Sequence, residues 1–324
     1  MTEDSIAPAP RRNYPLLFAK GMAMGAADVV PGVSGGTIAF ISGIYDELVD
    51  TLRGLTPGTL SWLFREGLPS FWRRINGGFL LVLLAGILTS IFSLARVVMH
   101  SLEHYPLLIW SFFLGLILAS IFHVGRGLGH WRPPQLLGLA AGTLVALLAS
   151  FAPPVAVGVG PLTVFGAGAL AICAMILPGI SGSFILVLIG MYPVLIQAVA
   201  SLDFSVLGIF ACGAVIGLLV FSHLLSWLLH HHRATTLAVM VGFMVGSLGA
   251  LWPWRIDLPA DVVAASDGFT PVRQLLTPGG YQALVGDPRI ALCIAATVTG
   301  VVLVLGLEYL GNRFKRAGNC KEQG

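Results

Sequence analysis

The sequence predicts an all-α polytopic membrane protein folded as an inverted-topology repeat, and three observations carry that reading. Only 33 of the 324 residues are charged (18 Lys and Arg, 15 Asp and Glu), or 10%, where a soluble domain carries roughly 25%. Hydrophobic residues make up 56% of the chain and its mean hydropathy is +0.88; apolar stretches of about 20 residues recur from end to end. Finally, two apolar segments broken by Pro-Gly match each other residue for residue. The net charge of +3 gives no reason to expect nucleic acid as a partner.

Residues 1–15 are polar, with Glu3 and Asp4 ahead of Arg11 and Arg12, and form an expected cytoplasmic tail. The apolar run that follows carries Lys20 and Asp28 and no short apolar core ending in small residues, so a cleaved signal is not expected. Apolar segments fall at 16–30, 36–50, 78–99, 105–124, 134–152, 162–177, 182–200, 205–229, 235–252 and 290–310. The first two are separated by Pro31-Gly32-Val33-Ser34-Gly35-Gly36, and 162–177 and 182–200 by Pro178-Gly179-Ile180-Ser181-Gly182. A helix of about 15 residues spans about 22 Å, short of a hydrocarbon core about 30 Å thick. Each pair of arms therefore suits a re-entrant hairpin that enters and leaves by one face, its broken backbone buried in protein or lining a wet cavity. Cys173, Cys212, Cys293 and Cys320 are too scattered for a disulfide framework or a metal pattern and read as small core residues.

Pro31, Gly32, Ser34, Gly35, Ile38, Gly43, Tyr45 and Leu48 correspond to Pro178, Gly179, Ser181, Gly182, Ile185, Gly190, Tyr192 and Leu195, all at a shift of 147. Gly86, Arg96, His104, Gly115 and Ser120 correspond to Gly213, His223, His231, Gly242 and Ser247 at a shift of 127; the difference, 147 minus 127, is 20 extra residues in the first hairpin-to-helix loop. Each unit reads as one hairpin and two spanning helices. Repeat 1 covers 16–124 with its hairpin at 16–50 and spans at 78–99 and 105–124; repeat 2 covers 162–252 with its hairpin at 162–200 and spans at 205–229 and 235–252. A linking span (134–152), an external loop (253–289), a last span (290–310) and a cytoplasmic tail (311–324) complete the chain. Three spans lie between the hairpins, so these enter from opposite faces, the plan of many secondary transporters. With the N-terminus inside, fourteen of the eighteen Lys and Arg fall on the cytoplasmic side, following the positive-inside rule. Both termini are then cytoplasmic, the first hairpin opens inward and the second outward.

At each break the arm after the loop begins with unpaired N–H groups at the positive end of its dipole, and glycine lets an anion approach the backbone. Ser34, Thr37, Ser181 and Ser183 add hydroxyl donors around Gly35, Gly36 and Gly182, with Pro31, Gly32, Pro178 and Gly179 as hinges. The combination suits a phosphate or carboxylate head group. The plainer reading is that Pro and Gly kink membrane helices and let them pack closely; the doubling in inverted register favours the anion site. Charge at membrane depth marks further candidates. Asp28, just before Pro31, either carries a proton or cation or accepts N–H bonds across the turn; Met175 stands at its matching position. Glu47, beside Asp46 and Asp50, lies nearer the cytoplasmic surface and reads as a coupling or gating residue. Arg96, the one arginine inside a span, either pairs with a phosphate or snorkels to the outer interface. Its counterpart His223 is a coupling candidate or a hydrogen-bonded structural histidine, and His230, His231 and His232 read as an interfacial cap. No cofactor or metal is expected.

Gly32-Val33-Ser34-Gly35 and Gly179-Ile180-Ser181-Gly182 also fit the G-x-S-G pattern that looks like the nucleophile motif of rhomboid intramembrane proteases, with His123 or His223 as a base. A nucleophile needs one copy rather than two in opposite orientation, so an enzyme is not expected.

The stretch from Lys20 through Asp28, Pro31, Gly32, Ser34, Gly35, Gly36 and Thr37, continuing to Gly43-Ile44-Tyr45-Asp46-Glu47-Leu48, resembles the bacterial polyprenyl-phosphate transporter family, long catalogued as a domain of unknown function. The similarity covers essentially the whole chain, including the second motif at Pro178, Gly179, Ser181 and Gly182. It implies a multi-pass protein of the bacterial cytoplasmic (inner) membrane that returns undecaprenyl phosphate, the lipid carrier of cell-wall and surface-glycan precursors, from the outer to the inner leaflet. A lipid phosphate has one anionic head and a long apolar tail, so its carrier needs an anion-binding cleft near the midplane with a lateral opening for the tail. The expected sequence of events has Ser181, Gly182 and Ser183, helped by Arg96, receive the phosphate from outside. Rocking of one repeat against the other then exposes it to Ser34, Gly35, Gly36 and Thr37 on the cytoplasmic side, with H+ or Na+ as the candidate coupling ion. A transporter of another small or lipid-linked anion is the alternative, and an intramembrane serine hydrolase the remoter one.

Overall fold

The computed structural model describes residues 13–29, 34–56, 58–59, 67–129, 131–152, 157–257 and 273–321, the side chains of 29, 94–96, 98–99, 257, 273 and 307–321 excepted. The expected hinge residues Pro31 and Gly32 lie outside this set, as do residues 1–12 and the middle of the expected external loop. About 81% of the structure is helical.

In the first hairpin, α1 (Tyr14–Val29) is followed by α2 (Gly35–Ile41) and α3 (Tyr45–Arg53). A short α4 (Leu68–Arg74) leads into α5 (Gly77–His104), α6 (Pro106–Gly127) and α7 (Pro133–Phe151). The second hairpin is α8 (Pro161–Ile176), α9 (Gly182–Leu188) and α10 (Tyr192–Ala200), followed by α11 (Phe204–His231) and α12 (Arg233–Ser247), which a 3-10 turn extends to Leu251. An antiparallel ribbon of β1 (Arg255–Asp257) and β2 (Arg273–Leu275), then α13 (Pro278–Leu284) and α14 (Ile290–Lys321), complete the described chain.

Among the described residues, α6, α7, α11 and the extended α12 are long and apolar enough to cross a membrane, and two bent pairs, α4 with α5 (70°) and α9 with α10 (107°), bring the count to as many as 6. Val215, Ile216, Val220 and Leu224 of α11 point away from the protein, an apolar surface suited to lipid rather than water. The molecule is thus an all-α polytopic membrane protein. Each returning arm, expected as one helix, is two. The chain breaks at Gly43 (φ +72°) and at the matching Gly190 (φ +69°), a left-handed conformation that glycine adopts without steric cost.

Four tight helix pairs hold the spans together: α1 with α5, α8 with α11, α6 with α14 and α7 with α12. Glycines four apart (Gly21 and Gly25, Gly138 and Gly142, Gly213 and Gly217, Gly242 and Gly246) let the backbones touch, the small-residue packing that membrane helices use in place of a hydrophobic driving force. A Cβ on Gly21 would overlap the Leu83 carbonyl, and one on Gly86 the Phe18 carbonyl; in the other pair the same overlaps join Gly168 to Phe210 and Gly213 to Phe165. Likewise Gly115 abuts the Thr297 carbonyl and Gly300 that of Phe112, as Gly242 abuts Leu139 and Gly142 abuts Val239. The four pairs are unchanged when α1, α5, α6 and α7 are exchanged for α8, α11, α12 and α14. The third long helix after each hairpin, α7 or α14, therefore packs on the second span of the other half.

Contacts advance in the same direction along these pairs. Gly21 meets Leu83 and Gly86, then Gly25 meets Ile87 and Ser90, so α1 and α5 run parallel and the chain between them returns to the side from which it set out. Phe165 with Gly213, then Ala169 with Gly217, give the same sense to α8 and α11. The first hairpin is buried in a core of Ile44, Tyr45 and Val49 with Phe79, Leu83, Ile176, Leu225, Leu229 and Met240. The second rests on a smaller cluster of Ala167, Ala171, Leu186 and Met191.

Candidate functional site

The two breaks meet. Ser34, the N-cap of α2, accepts the Gly36 N–H at 3.1 Å and donates its hydroxyl to the Met175 carbonyl at 2.8 Å. The Gly179 N–H donates to Thr37 Oγ1 at 3.0 Å, and the Tyr45 hydroxyl to the Ile176 carbonyl at 3.1 Å. Met175, Ile176 and Gly179 all flank the second break, so the polar groups of the first hairpin satisfy backbone that the second leaves open where α8 ends. Approach is close enough that a Cβ on Gly36 would lie 2.5 Å from the Ile176 oxygen and 2.7 Å from that of Met175. Gly179 has φ +87° and sits against Met244, where a Cβ would come within 2.8 Å of the amide nitrogen.

At the start of α2 the Gly35, Gly36 and Thr37 N–H groups all have acceptors. Asp28 Oδ1 accepts the Gly35 N–H at 2.6 Å, so its carboxylate stands where an external anion would sit on the first amide of α2. Of the two readings of Asp28, this bond supplies the capping geometry directly; a carboxylate so placed can still exchange a proton. Ser34 and Thr37 are fully buried with their hydroxyls committed to the junction.

The second break is built from matching residues and is satisfied differently. Met175 replaces Asp28, and its Cγ lies 2.6 Å from where a Cβ on Gly182 would be, a place equivalent to that of Asp28 beside Gly35. Ser181 makes no cap bond to α9; its hydroxyl pairs with that of Ser183 at 2.9 Å. Among the described groups, none accepts from the Gly182 or Ser183 N–H. Beside them opens a cleft lined by Ala146, Ala149, Ser150, Gly179, Ile180, Ser181, Phe184, Ser247 and Ala250, with about 20 Å³ open to the centre of a water molecule, enough for one. Ser150, Ser181 and Ser247 line this small, otherwise apolar space, which can hold one oxyanion oxygen or its water.

The remaining expected site residues lie elsewhere. Glu47 accepts from Asn76 Nδ2 at 3.0 Å, at the start of α5. His223 is exposed on α11 and bonds the Leu219 carbonyl of its own helix at 2.7 Å. Arg96 lies on α5, with its side chain outside the described set. The serines show no nucleophile geometry: Ser34 gives its proton to a carbonyl and Ser181 pairs with another serine. Sequence reasoning missed Tyr45 as a bridge between the hairpins, although it belongs to the matched set, and missed Ser150, a lone serine in an apolar helix that carries no local signal. It also missed Arg255, whose guanidinium lies 3.9 Å from the Trp110 ring centroid and bonds the carbonyl of Ala250, a residue of the cleft wall.

The fold and this junction define the class: a polytopic membrane protein whose two broken-helix hairpins meet inside the bundle. The profile of the family described as VCA0040-like, undecaprenyl phosphate translocase-like, matches residues 24–266. The chain belongs to that family. It is 46% identical over 297 residues to a polyprenyl-phosphate transporter of Vibrio cholerae serotype O1, covering 91% of this chain and 96% of the relative. A polyprenyl-phosphate transporter of Staphylococcus aureus is 30% identical over 262 residues, covering 75% and 87%. No solved structure matches.

Proposed function

We propose that this protein carries undecaprenyl phosphate from the outer to the inner leaflet of the bacterial cytoplasmic membrane, as an inverted-topology repeat with both termini in the cytoplasm. Family membership and the names of the two relatives support the lipid phosphate as cargo. The exchangeable set of helix pairs and the parallel course of α1 with α5 and α8 with α11 support the repeat and its returning hairpins. The observation that carries the site is the contrast between the breaks. The first binds its own carboxylate, Asp28, whereas the second, with Met175 in that place, leaves the Gly182 and Ser183 amides without an acceptor among the described groups, next to a cleft lined by Ser181. The phosphate enters at Ser181, Gly182 and Ser183 from the face on which α8 begins, with the polyprenyl tail in lipid. It leaves past Ser34, Gly35, Gly36 and Thr37 when the junction parts, and Asp28, released from Gly35, is then the group that takes up H+ or Na+.

The test is translocation of undecaprenyl phosphate in proteoliposomes. The intact protein is expected to move it faster than protein-free vesicles do, and Ser181→Ala together with Ser183→Ala to slow it about tenfold, the loss of roughly 1.4 kcal/mol of head-group binding. Translocation no faster than in empty vesicles overturns the function; an undiminished double variant overturns the site.

A further inference from the structure

Equivalent arms of the two hairpins are in different states. Tyr45 and Val49 of α3 are 2% and 0% exposed, while their counterparts on α10, Tyr192 and Ile196, are 40% and 52% exposed. The α3 helix packs against α11, with Val49 in the same core as Leu225 and Leu229; among the described residues α10 makes no comparable packing on α5. Polar contacts close the α3 seam. Ser226 donates to Asp50 Oδ1 at 2.7 Å and receives Arg53 Nη1 at 3.3 Å, His230 Nε2 lies 4.0 Å from Asp50 Oδ2, and Arg233 Nη2 pairs with Asp46 Oδ2 at 2.6 Å. At the matching positions α10 carries Pro193 for Asp46, Gln197 for Asp50 and Ala200 for Arg53, so one seam has a charged latch and the other has none.

We propose that the α3–α11 seam is the gate on the face where α1 and α5 begin, latched shut in this structure, and that the unlatched counterpart, α10 against α5, is the gate on the opposite face, standing open. This rests on the alternating-access reading above and adds to it which gate is closed, and by which residues. The repeat supplies the second state: α10 closes on α5 as α3 comes away from α11. The latch consists of half-exposed pairs that are individually weak, so it biases the resting protein toward the open outer side and still yields to cargo. An equilibrium of this kind shifts only by the difference in affinity of the two states for the ligand.

In a chain whose native cysteines are replaced and which still translocates, Asp50→Cys with Ser226→Cys is expected to cross-link on oxidation. Translocation of undecaprenyl phosphate should then fall about tenfold or more and return on reduction, the recovery showing that the fold survived. A cross-linked protein that translocates at the reduced rate overturns the gate. Separately, Arg233→Gln should raise by about threefold the rate at which a water-soluble thiol reagent labels a lone cysteine at Ser226, fully buried at rest, by releasing Asp46. An unchanged labelling rate overturns the latch. Labelling does not depend on cargo, so a failure of the proposed function, with the intact chain moving no lipid phosphate, is read apart from a failure of the gate.

Discussion

The first hairpin is tied down and the second is not, although the two share their Pro-Gly breaks, their left-handed glycines and their tyrosines. Around Ser34, the Gly35, Gly36 and Thr37 N–H groups and the Ser34 hydroxyl each have an acceptor: Asp28, Ser34 itself or Met175 at the facing end of α8. Around Ser181 the carboxylate is missing, the Gly182 and Ser183 amides have no acceptor among the described groups, and Ser181 itself lines a cleft. A duplicated motif thus fixes where a break falls, while a single unmatched side chain, Asp28 against Met175, decides whether the first amide after that break is capped.

Exchanging residues between the breaks should produce the largest effects. Gly36→Ser copies what the second hairpin carries at Ser183, but its Cβ would strike the Met175 and Ile176 carbonyls, and overpacking against rigid backbone has nowhere to relax. Translocation should drop to the vesicle background, whereas Ser183→Gly should keep it within about threefold, a cost of less than about 0.7 kcal/mol. Equal losses would show that the junction is not the tight side. Met175→Asp should place a carboxylate beside Gly182 and compete with the phosphate, lowering translocation about tenfold, with Met175→Leu close to the parent; retained activity in Met175→Asp argues against the open amides as the anion site. Gly43→Ala and Gly190→Ala should each cost about 1.5 kcal/mol through the left-handed backbone, seen as matching falls in thermal stability in detergent. A difference between them would mean that the two bends are not equivalent. The smallest effect is expected from Tyr45→Phe, about 1 kcal/mol for the lost bond to Ile176, with no measurable change in Tyr192→Phe.

The sequence made the helical membrane class and the breaks legible because each leaves a periodic or repeated signature: apolar runs of membrane length and Pro-Gly at matched positions. Three things were out of reach. The bends at Gly43 and Gly190 sit inside apolar runs that read as continuous helix, and only the backbone conformation marks them. The meeting of Ser34 with Met175 joins residues 141 apart in the chain, and no local pattern encodes that distance. The equivalence of α7 with α14 was hidden because their match follows a third shift, 300 minus 142, or 158, and rests on little more than one glycine.

That last equivalence has a consequence for how the molecule is made. Helix α6 takes α14 as its main neighbour and α7 takes α12, so the helices that follow each break are completed by helices far along the chain. During synthesis α6 waits with its Gly115 surface bare until residues 290–306 emerge to cover it, whereas α7 is met as soon as α12 inserts. Closure of the α6 surface therefore waits for α14. A chain cut short before α14 would carry its hairpins, both breaks and the cleft, yet display an unfilled backbone groove that quality control in the membrane could recognise.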